Sequence, residues 1–365
     1  MNRFINALKQ NIIISQIAQD IDITDDNFKD YVQKLKDVVF DVSVPIYYSP
    51  WVNNIESIYI SNFNELINSS EVDYSGINGY TKLKTLIITH NNNIKKLNIS
   101  NLQNLENLII VDNKNLSEIN GLSELRHLNK IIIVGNNIKE VDDINSYAYN
   151  TKKSQMNILD VNMYHYFHRK KFDVSNSNIN FAEKVSVGEL YILNQSMMQE
   201  LYNNATSIIN SLIKQDMNDL EKTMVIYKYI VSNLSYDYEN LNKRNEYVKT
   251  NEIKIYDNTF KDINTSYKAL KDKKVVCEGY ANLFKFLLNI VGIEARNVKC
   301  FIKNDNRPFV FYDHVASKVK IDNKWYYCDS QLETDPSNLI YFMKGLDEFS
   351  KTHELPVLAK KYRSK

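Results

Sequence analysis

The sequence predicts a multidomain α+β protein: a stack of short strand-bearing repeats, then a block in which a helix and an antiparallel hairpin carry a Cys, a His and an Asp. Three observations predict it. A nine-residue pattern recurs between Leu83 and Asn136, its starts 22 and then 23 residues apart. Apolar residues at helical spacing follow residue 217 and again follow Cys277. Between His314 and Asp329, two strand-like runs flank an Asp-Asn turn. At 365 residues the chain has room for about two or three domains.

Composition narrows the class. Apolar residues make up 44% and charged residues 24%, which suits a packed core rather than a disordered chain. With 45 basic and 44 acidic residues the net charge is +1, so no electrostatic footprint for nucleic acid is present. Only the last residues, Leu358-Ala359-Lys360-Lys361-Tyr362-Arg363-Ser364-Lys365, are basic. Three cysteines cannot all pair within one chain, which favours free thiols or a reducing compartment. No run reaches the ~20 apolar residues of a membrane span, and Ile12-Ile13-Ile14 is too short for a secretory core. A cytoplasmic location is expected, with export or surface display as the alternative if a leader precedes this sequence.

The repeat runs Leu83-Lys84-Thr85-Leu86-Ile87-Ile88-Thr89-His90-Asn91, then Leu105 to Asn113, then Leu128 to Asn136. A degenerate copy spans Ile55 to Phe63. Each of the three full copies continues to a further apolar pair, such as Ile94/Leu97, Leu116/Ile119 and Ile138/Val141. A single short strand cannot bury its aliphatic side chains, so neighbouring copies must stack. The Asn closing each copy can bond backbone groups where the chain turns away. The pattern resembles the leucine-rich repeat, LxxLxLxxN with a period of ~20–29 residues, and that resemblance implies a short solenoid.

Residues 1–50 are expected to form a helical N-terminal cap, on the strength of Asp25-Asp26 ahead of the helix-period series Phe28, Tyr31, Val32, Leu35, Val38 and Val39. The solenoid is assigned to 51–148, a connector that can add strands to the next domain to 149–200, and the remaining domain to 201–365. Within the repeats, Tyr59, Ile87, Ile109 and Ile132 occupy the central strand position that should face out of the concave surface. An exposed apolar column marks a partner groove or the resting place of the following domain.

The chemistry lies further on. Met217-Asn218-Asp219-Leu220-Glu221-Lys222 opens a helix with apolar Val225, Ile226, Tyr229, Ile230 and Leu234, and Ser235-Tyr236-Asp237-Tyr238 ends it. After Val275-Val276-Cys277-Glu278-Gly279, the series Tyr280, Phe284, Leu287, Leu288 and Val291 marks a second buried helix face, with Gly292 as its C-terminal cap. Cys277 therefore falls at the first helical turn, where unpaired N–H groups favour a thiolate. Downstream, Phe309 to Ile321 reads as a strand, Asp322-Asn323 as its turn and Lys324 to Asp329 as the return strand. A two- or four-residue turn pairs residue 321 with residue 324, which sets Asp329 opposite Ala316 and diagonal to His314. Such neighbours are ~7–8 Å apart at the backbone, close enough for a carboxylate to orient an imidazole.

This block, from Asp219-Leu220-Glu221-Lys222 through Val276-Cys277-Glu278-Gly279-Tyr280-Ala281 to Asp313-His314 and Trp325-Tyr326-Tyr327-Cys328-Asp329, resembles the transglutaminase-like superfamily over about residues 200–335. The resemblance implies a papain-like fold with Cys277 as nucleophile, His314 as general base and then acid, and Asp329 as the group that fixes the imidazole. It implies thiol attack on an amide or peptide carbonyl of a protein or peptide substrate, a thioester intermediate, and release to water or an amine. The Cys277 N–H is one oxyanion donor. The chain departs from the family pattern in Val275-Val276 before the Cys, Val315-Ala316-Ser317 after the His and Ser330-Gln331 after the Asp. A non-catalytic binding scaffold is the alternative reading.

Eukaryotic transglutaminases use calcium, but no Asp-x-Asp-x-Asp loop occurs here, so neither metal nor cofactor is expected. Tyr164-His165-Tyr166-Phe167-His168 spaces two His by three residues without a third ligand. Cys300 and Cys328 read as core cysteines. Tyr236, Tyr238 and Trp325 wall the cleft or belong to an aromatic core. Oligomeric state is left open by these residues.

Overall fold

The computed structural model describes residues 57–61, 78–89, 91, 94–138, 140–141, 156–164, 179–185, 189–250, 260–303 and 312–355. The expected cap at 1–50, and His165 and His168, lie outside the described residues. The chain divides into two compact units. One takes Met1–Lys184, Gly188–Gln195 and Lys254–Tyr256; the other takes Val185–Val187, Ser196–Ile253 and Asp257–Lys365.

The first unit is built on parallel strands. β1 (Ser57–Ser61), β2 (Thr85–Thr89), β4 (Asn107–Val111), β6 (Lys130–Val134), β8 (Met156–Asp160), β9 (Ile179–Val185) and β10 (Glu189–Leu193) form one seven-stranded sheet in that order. β3 (Lys96–Asn98), β5 (Glu118–Asn120) and β7 (Glu140–Val141) form a second, three-stranded parallel sheet. Equivalent residues of successive copies pair, as in Ile87 with Ile109 and Ile109 with Ile132. Asparagines tie the copies together. Asn113 Oδ1 accepts from the Asn91 N–H at 3.0 Å, while Asn113 Nδ2 donates to the Ile88 and Val111 carbonyls at 3.0 and 3.2 Å. Asn136 repeats the arrangement one copy later, accepting from the Asn113 N–H at 2.9 Å and donating to the Ile110 carbonyl at 2.8 Å.

Two expectations change here. Ile87, Ile109 and Ile132 are buried, at 2%, 1% and 0% exposure, so they form no open apolar column. Tyr59 lies on β1, its side chain outside the described residues. The physical reason is that these parallel strands are buried at four of their five positions each, on both faces, the usual state of parallel strands inside a sheet. The stretch 149–200 also behaves differently from a connector to the next domain. Its strands β8, β9 and β10 extend the sheet of the first unit, because Ile158, Leu159, Phe181 and Leu190 supply apolar side chains for the same core.

The second unit combines helices with an antiparallel sheet. α1 spans Gln195–Leu212 and α2 Asp219–Asn233. Asn218 caps α2 in a reciprocal box with Glu221, each side chain accepting from the other's backbone N–H at 2.9 and 2.8 Å. β11 (Ser235–Tyr236) follows, then α3 (Tyr238–Thr250), α4 (Ser266–Asp272) and β12 (Lys274–Val275). β11 pairs in parallel with β12, Tyr236 beside Val275. α5 (Cys277–Ile290) comes directly after β12, and Leu283, Phe284, Leu287 and Leu288 on it are fully buried. Its C-terminal turn ends at Gly292, whose φ of +85° a side chain would resist.

The sheet of this unit has the order β15-β14-β13-β16, all antiparallel: β13 is Ala295–Ile302, β14 Tyr312–Ile321, β15 Lys324–Cys328 and β16 His353–Glu354. A last helix, α6 (Leu346–Thr352), leads into β16. Asp322 and Asn323 have φ of 48° and 61°, the left-handed pair of a two-residue hairpin turn. The pairing runs from Ile321 with Lys324 to Ser317 with Cys328, the register such a turn requires.

Candidate active site

Cys277 is the first residue of α5, and the residue that caps the helix, Val276, has no side chain able to bond its N-terminal N–H groups. Those donors and the aligned peptide dipoles therefore act on whatever stands at the helix tip. The tip is pressed tightly onto β12. A Cβ added at Gly279 would stand 2.6 Å from Val275 Cβ and 2.9 Å from the Ile263 carbonyl oxygen, so glycine is what lets the first turn approach. The Cys277 thiol is partly exposed, whereas Cys300 and Cys328 are buried. Burial pushes the Cys300 thiol up and the Cys328 thiol up to about 12, which leaves both as inert core groups.

β14 carries His314 and the end of β15 delivers Asp329, both buried at 3% and 1% exposure. His314 Nε2 lies 2.6 Å from Asp329 Oδ2. The other carboxylate oxygen accepts from the Gln331 and Leu332 N–H groups at 3.0 and 3.2 Å. Backbone bonds fix the residue as well: the Asp329 N–H donates to the Tyr341 carbonyl and the Tyr227 hydroxyl to the Asp329 carbonyl, both at 3.0 Å.

Electrostatics follow from this wiring. Burial would push His314 down, but the Asp329 carboxylate, with a smaller contribution from the neighbouring Cys277, outweighs it and raises the imidazole to about 10. Burial would likewise raise the Asp329 carboxyl, yet His314 and His353 hold it well below the usual carboxylate range. The imidazole is thus bonded to the Asp329 carboxylate through Nε2, with the charge of Cys277 also acting on it.

Two neighbours complete the surroundings: Tyr236, one of the aromatic residues expected at the cleft or in a core, and His353, which the sequence did not single out. Burial, and then the charge of the neighbouring Cys277, push the Tyr236 hydroxyl well above the ordinary tyrosine range and keep it protonated. The β11–β12 pairing brings it there. Its ring lies 4.6 Å from that of Tyr238, which is 67% exposed. The second is His353, whose Nε2 lies 2.9 Å from the same Asp329 Oδ2. Trp325 instead stacks beneath cations, with Arg296 and Lys318 at 5.0 and 4.6 Å from its ring.

His314, Asp329 and His353 offer ligand atoms within 4.8 Å of one another, a spacing that could hold a cation. The separations of 2.6 and 2.9 Å between imidazole nitrogens and carboxylate oxygen are those of charge-assisted hydrogen bonds, so protons already satisfy the three groups.

The geometry is that of an α+β domain with a cysteine at a helix tip and a buried histidine–aspartate pair on the sheet. The family model described as transglutaminase-like superfamily matches residues 206–330, and this segment is a transglutaminase-like domain. Among solved structures, one described as a TGase is 18% identical, with 38% of this chain and 34% of that chain covered and a TM-score of 0.30. A candidate cysteine protease from Cytophaga hutchinsonii is 16% identical over 38% of this chain and 43% of that one, with a TM-score of 0.27. A candidate protease from Parabacteroides distasonis is 19% identical over 36% and 25%, with a TM-score of 0.23. The matched region spans less than half the length of each of these three chains. No curated protein matches the chain. Among the described residues, no helix is long and apolar enough to cross a membrane.

Proposed function

We propose that the domain is a cysteine-dependent acyl-transfer enzyme acting on amide or peptide bonds, with Cys277, His314 and Asp329 as its triad. The observation that carries the reading is the buried Asp329–His314 pair adjoining a partly exposed thiol at an uncapped helix tip. In the reaction, Cys277 Sγ attacks the carbonyl carbon as a thiolate whose proton His314 holds, and that imidazolium is balanced by Asp329. The carbonyl oxygen becomes an oxyanion for which the Cys277 N–H at the helix tip is one donor, and the protonated Tyr236 hydroxyl nearby is the candidate for a second. The C–N bond then breaks, with His314 returning its proton to the departing nitrogen, and a thioester remains. Water or a primary amine attacks the thioester, gives its proton to His314, and regenerates the thiol.

For the first unit, we infer a leucine-rich-repeat module. The 22- and 23-residue offsets of the asparagine bonds and the in-register strand pairs support it.

The test pairs a fluorescent primary amine and a glutamine-bearing protein with a separate peptide-cleavage assay. Activity in either, lost in Cys277→Ala, is the expected result. Activity that survives Cys277→Ala overturns the assignment. If neither assay responds, and Cys277 reacts with iodoacetamide no faster than Cys300 and Cys328, the domain is a binding scaffold.

A further inference from the structure

His353 plays no part in the triad, yet it is fully buried and shares an oxygen with it. It enters through β16, where it pairs with Ile302 of β13 while His314 pairs with Cys300. Ile302 and Cys300 are two residues apart, so both histidines come to one face of the sheet, with ring centroids 5.8 Å apart. Its Nε2 lies 2.9 Å from Asp329 Oδ2. Because an ionised carboxylate only accepts, that nitrogen must carry hydrogen. Nδ1 meets the Thr352 hydroxyl at 2.8 Å, which leaves both ring nitrogens engaged.

The ring is also clamped. It stacks on Phe349 with centroids 4.0 Å apart and planes 6° from parallel, and the Tyr341 ring meets it edge-on at 6.2 Å. Among the described residues, the titratable groups recorded against it are Asp329, His314 and Tyr341. Asp329 Oδ2 is thus gripped by two imidazole N–H groups, while Oδ1 takes two backbone N–H groups. Four donors on one buried carboxylate exceed what holding a single imidazole requires.

We propose that His353 is a positioning residue of the site: through its Nε2–H it keeps Asp329 anionic and in one orientation, so that His314 presents Nδ1 to Cys277. This rests on the acyl-transfer reading above. Removing the donor leaves the carboxylate easier to protonate and free to turn, and a protonated Asp329 no longer balances the His314 imidazolium. Loss should therefore be greatest on the acid side.

The experiment follows the rate at which iodoacetamide labels Cys277 between pH 5 and 8 in the full chain, beside the folded content by circular dichroism. His353→Phe keeps an aromatic ring against Phe349 and removes the donor; His353→Gln restores an N–H at about the Nε2 position. Folded His353→Phe should label about 10- to 100-fold more slowly at pH 5, with its acid limb moved to higher pH, the range expected for losing one hydrogen bond to a charged group. His353→Gln should recover most of the rate. A folded His353→Phe with the wild-type profile overturns the proposal, since a purely structural residue would change the melting point alone. If His353→Phe does not fold, Thr352→Val, which removes the partner of Nδ1, takes its place with the same expected direction and the same overturning result. The hydrogen bond is read separately in Cys277→Ala protein, where acyl transfer cannot occur. There the His353 Nε2–H should be shifted downfield and slow to exchange with solvent, and its absence overturns the proposal whether or not the thiol is catalytic.

Discussion

His314 Nε2 stands 2.6 Å from Asp329 Oδ2, which commits the ring's other nitrogen to the Cys277 side. Asp329→Asn removes the charge and presents either an amide N–H or a carbonyl to that nitrogen, so the tautomer needed to accept the thiol proton is no longer fixed. By comparison with other triads, acyl transfer should fall by about 10⁴-fold, measured as the rate of thioester formation. A change of less than a few-fold would place the orienting group elsewhere.

The same pair makes stability depend on pH. His314 is raised from an ordinary 6.5 to about 10 in the folded protein. Its contribution is therefore fully present below pH 6.5 and is lost as pH rises through about 10. Asp329 is lowered, so its contribution is present above the ordinary carboxylate range and disappears under strong acid. Urea midpoints should be lower at pH 9 than at pH 6, and the difference should shrink in His314→Gln. An unchanged slope in that variant would contradict the pairing.

Gly279 sets how close the cysteine can come to β12. Gly279→Ala would bring a methyl to 2.6 Å from Val275 Cβ and 2.9 Å from the Ile263 carbonyl oxygen, and backbone cannot yield as a side-chain end can. We expect a loss of about 1–3 kcal/mol by urea denaturation, together with slower labelling of Cys277 as the helix tip shifts. Unchanged stability would mean the turn has more room than these distances allow.

In the first unit, burial replaces exposure as the property of the isoleucine column. Ile109, at 1% exposure, should behave as core: Ile109→Ala should cost about 2–5 kcal/mol, where a surface position would tolerate it. Asn113→Ala should also destabilise, since it strips partners from the Asn91 N–H and from the Ile88 and Val111 carbonyls. Denaturation midpoints of the two variants check both statements.

The parts of this architecture that are local in sequence could be read from it. The Asp322-Asn323 turn dictates the hairpin pairing, the 22-residue offset dictates which asparagines meet, and the run after Cys277 dictates a buried helix. The parts that depend on distant segments could not. Tyr236 was legible as a cleft-wall or core aromatic, but not its place beside Cys277, which a two-residue parallel pairing of β11 with β12 sets; His353 reaches Asp329 from a two-residue strand preceded by no motif. The isoleucine column was expected to face out of a concave surface from its central place in each strand, and the structure buries it instead. The run of three consecutive aliphatic residues Leu86-Ile87-Ile88, which leaves neither face polar, was the available signal.

The two-residue turn at Asp322-Asn323 has an evolutionary corollary. Strand side chains alternate with a period of two, so inserting or deleting one residue between Ile321 and Lys324 would send Asp329 to the far side of the sheet from His314. Descendants of this gene can lengthen or trim the hairpin only by even steps, or by adding a compensating bulge. Indels in this loop should therefore be counted in pairs wherever the acid is retained.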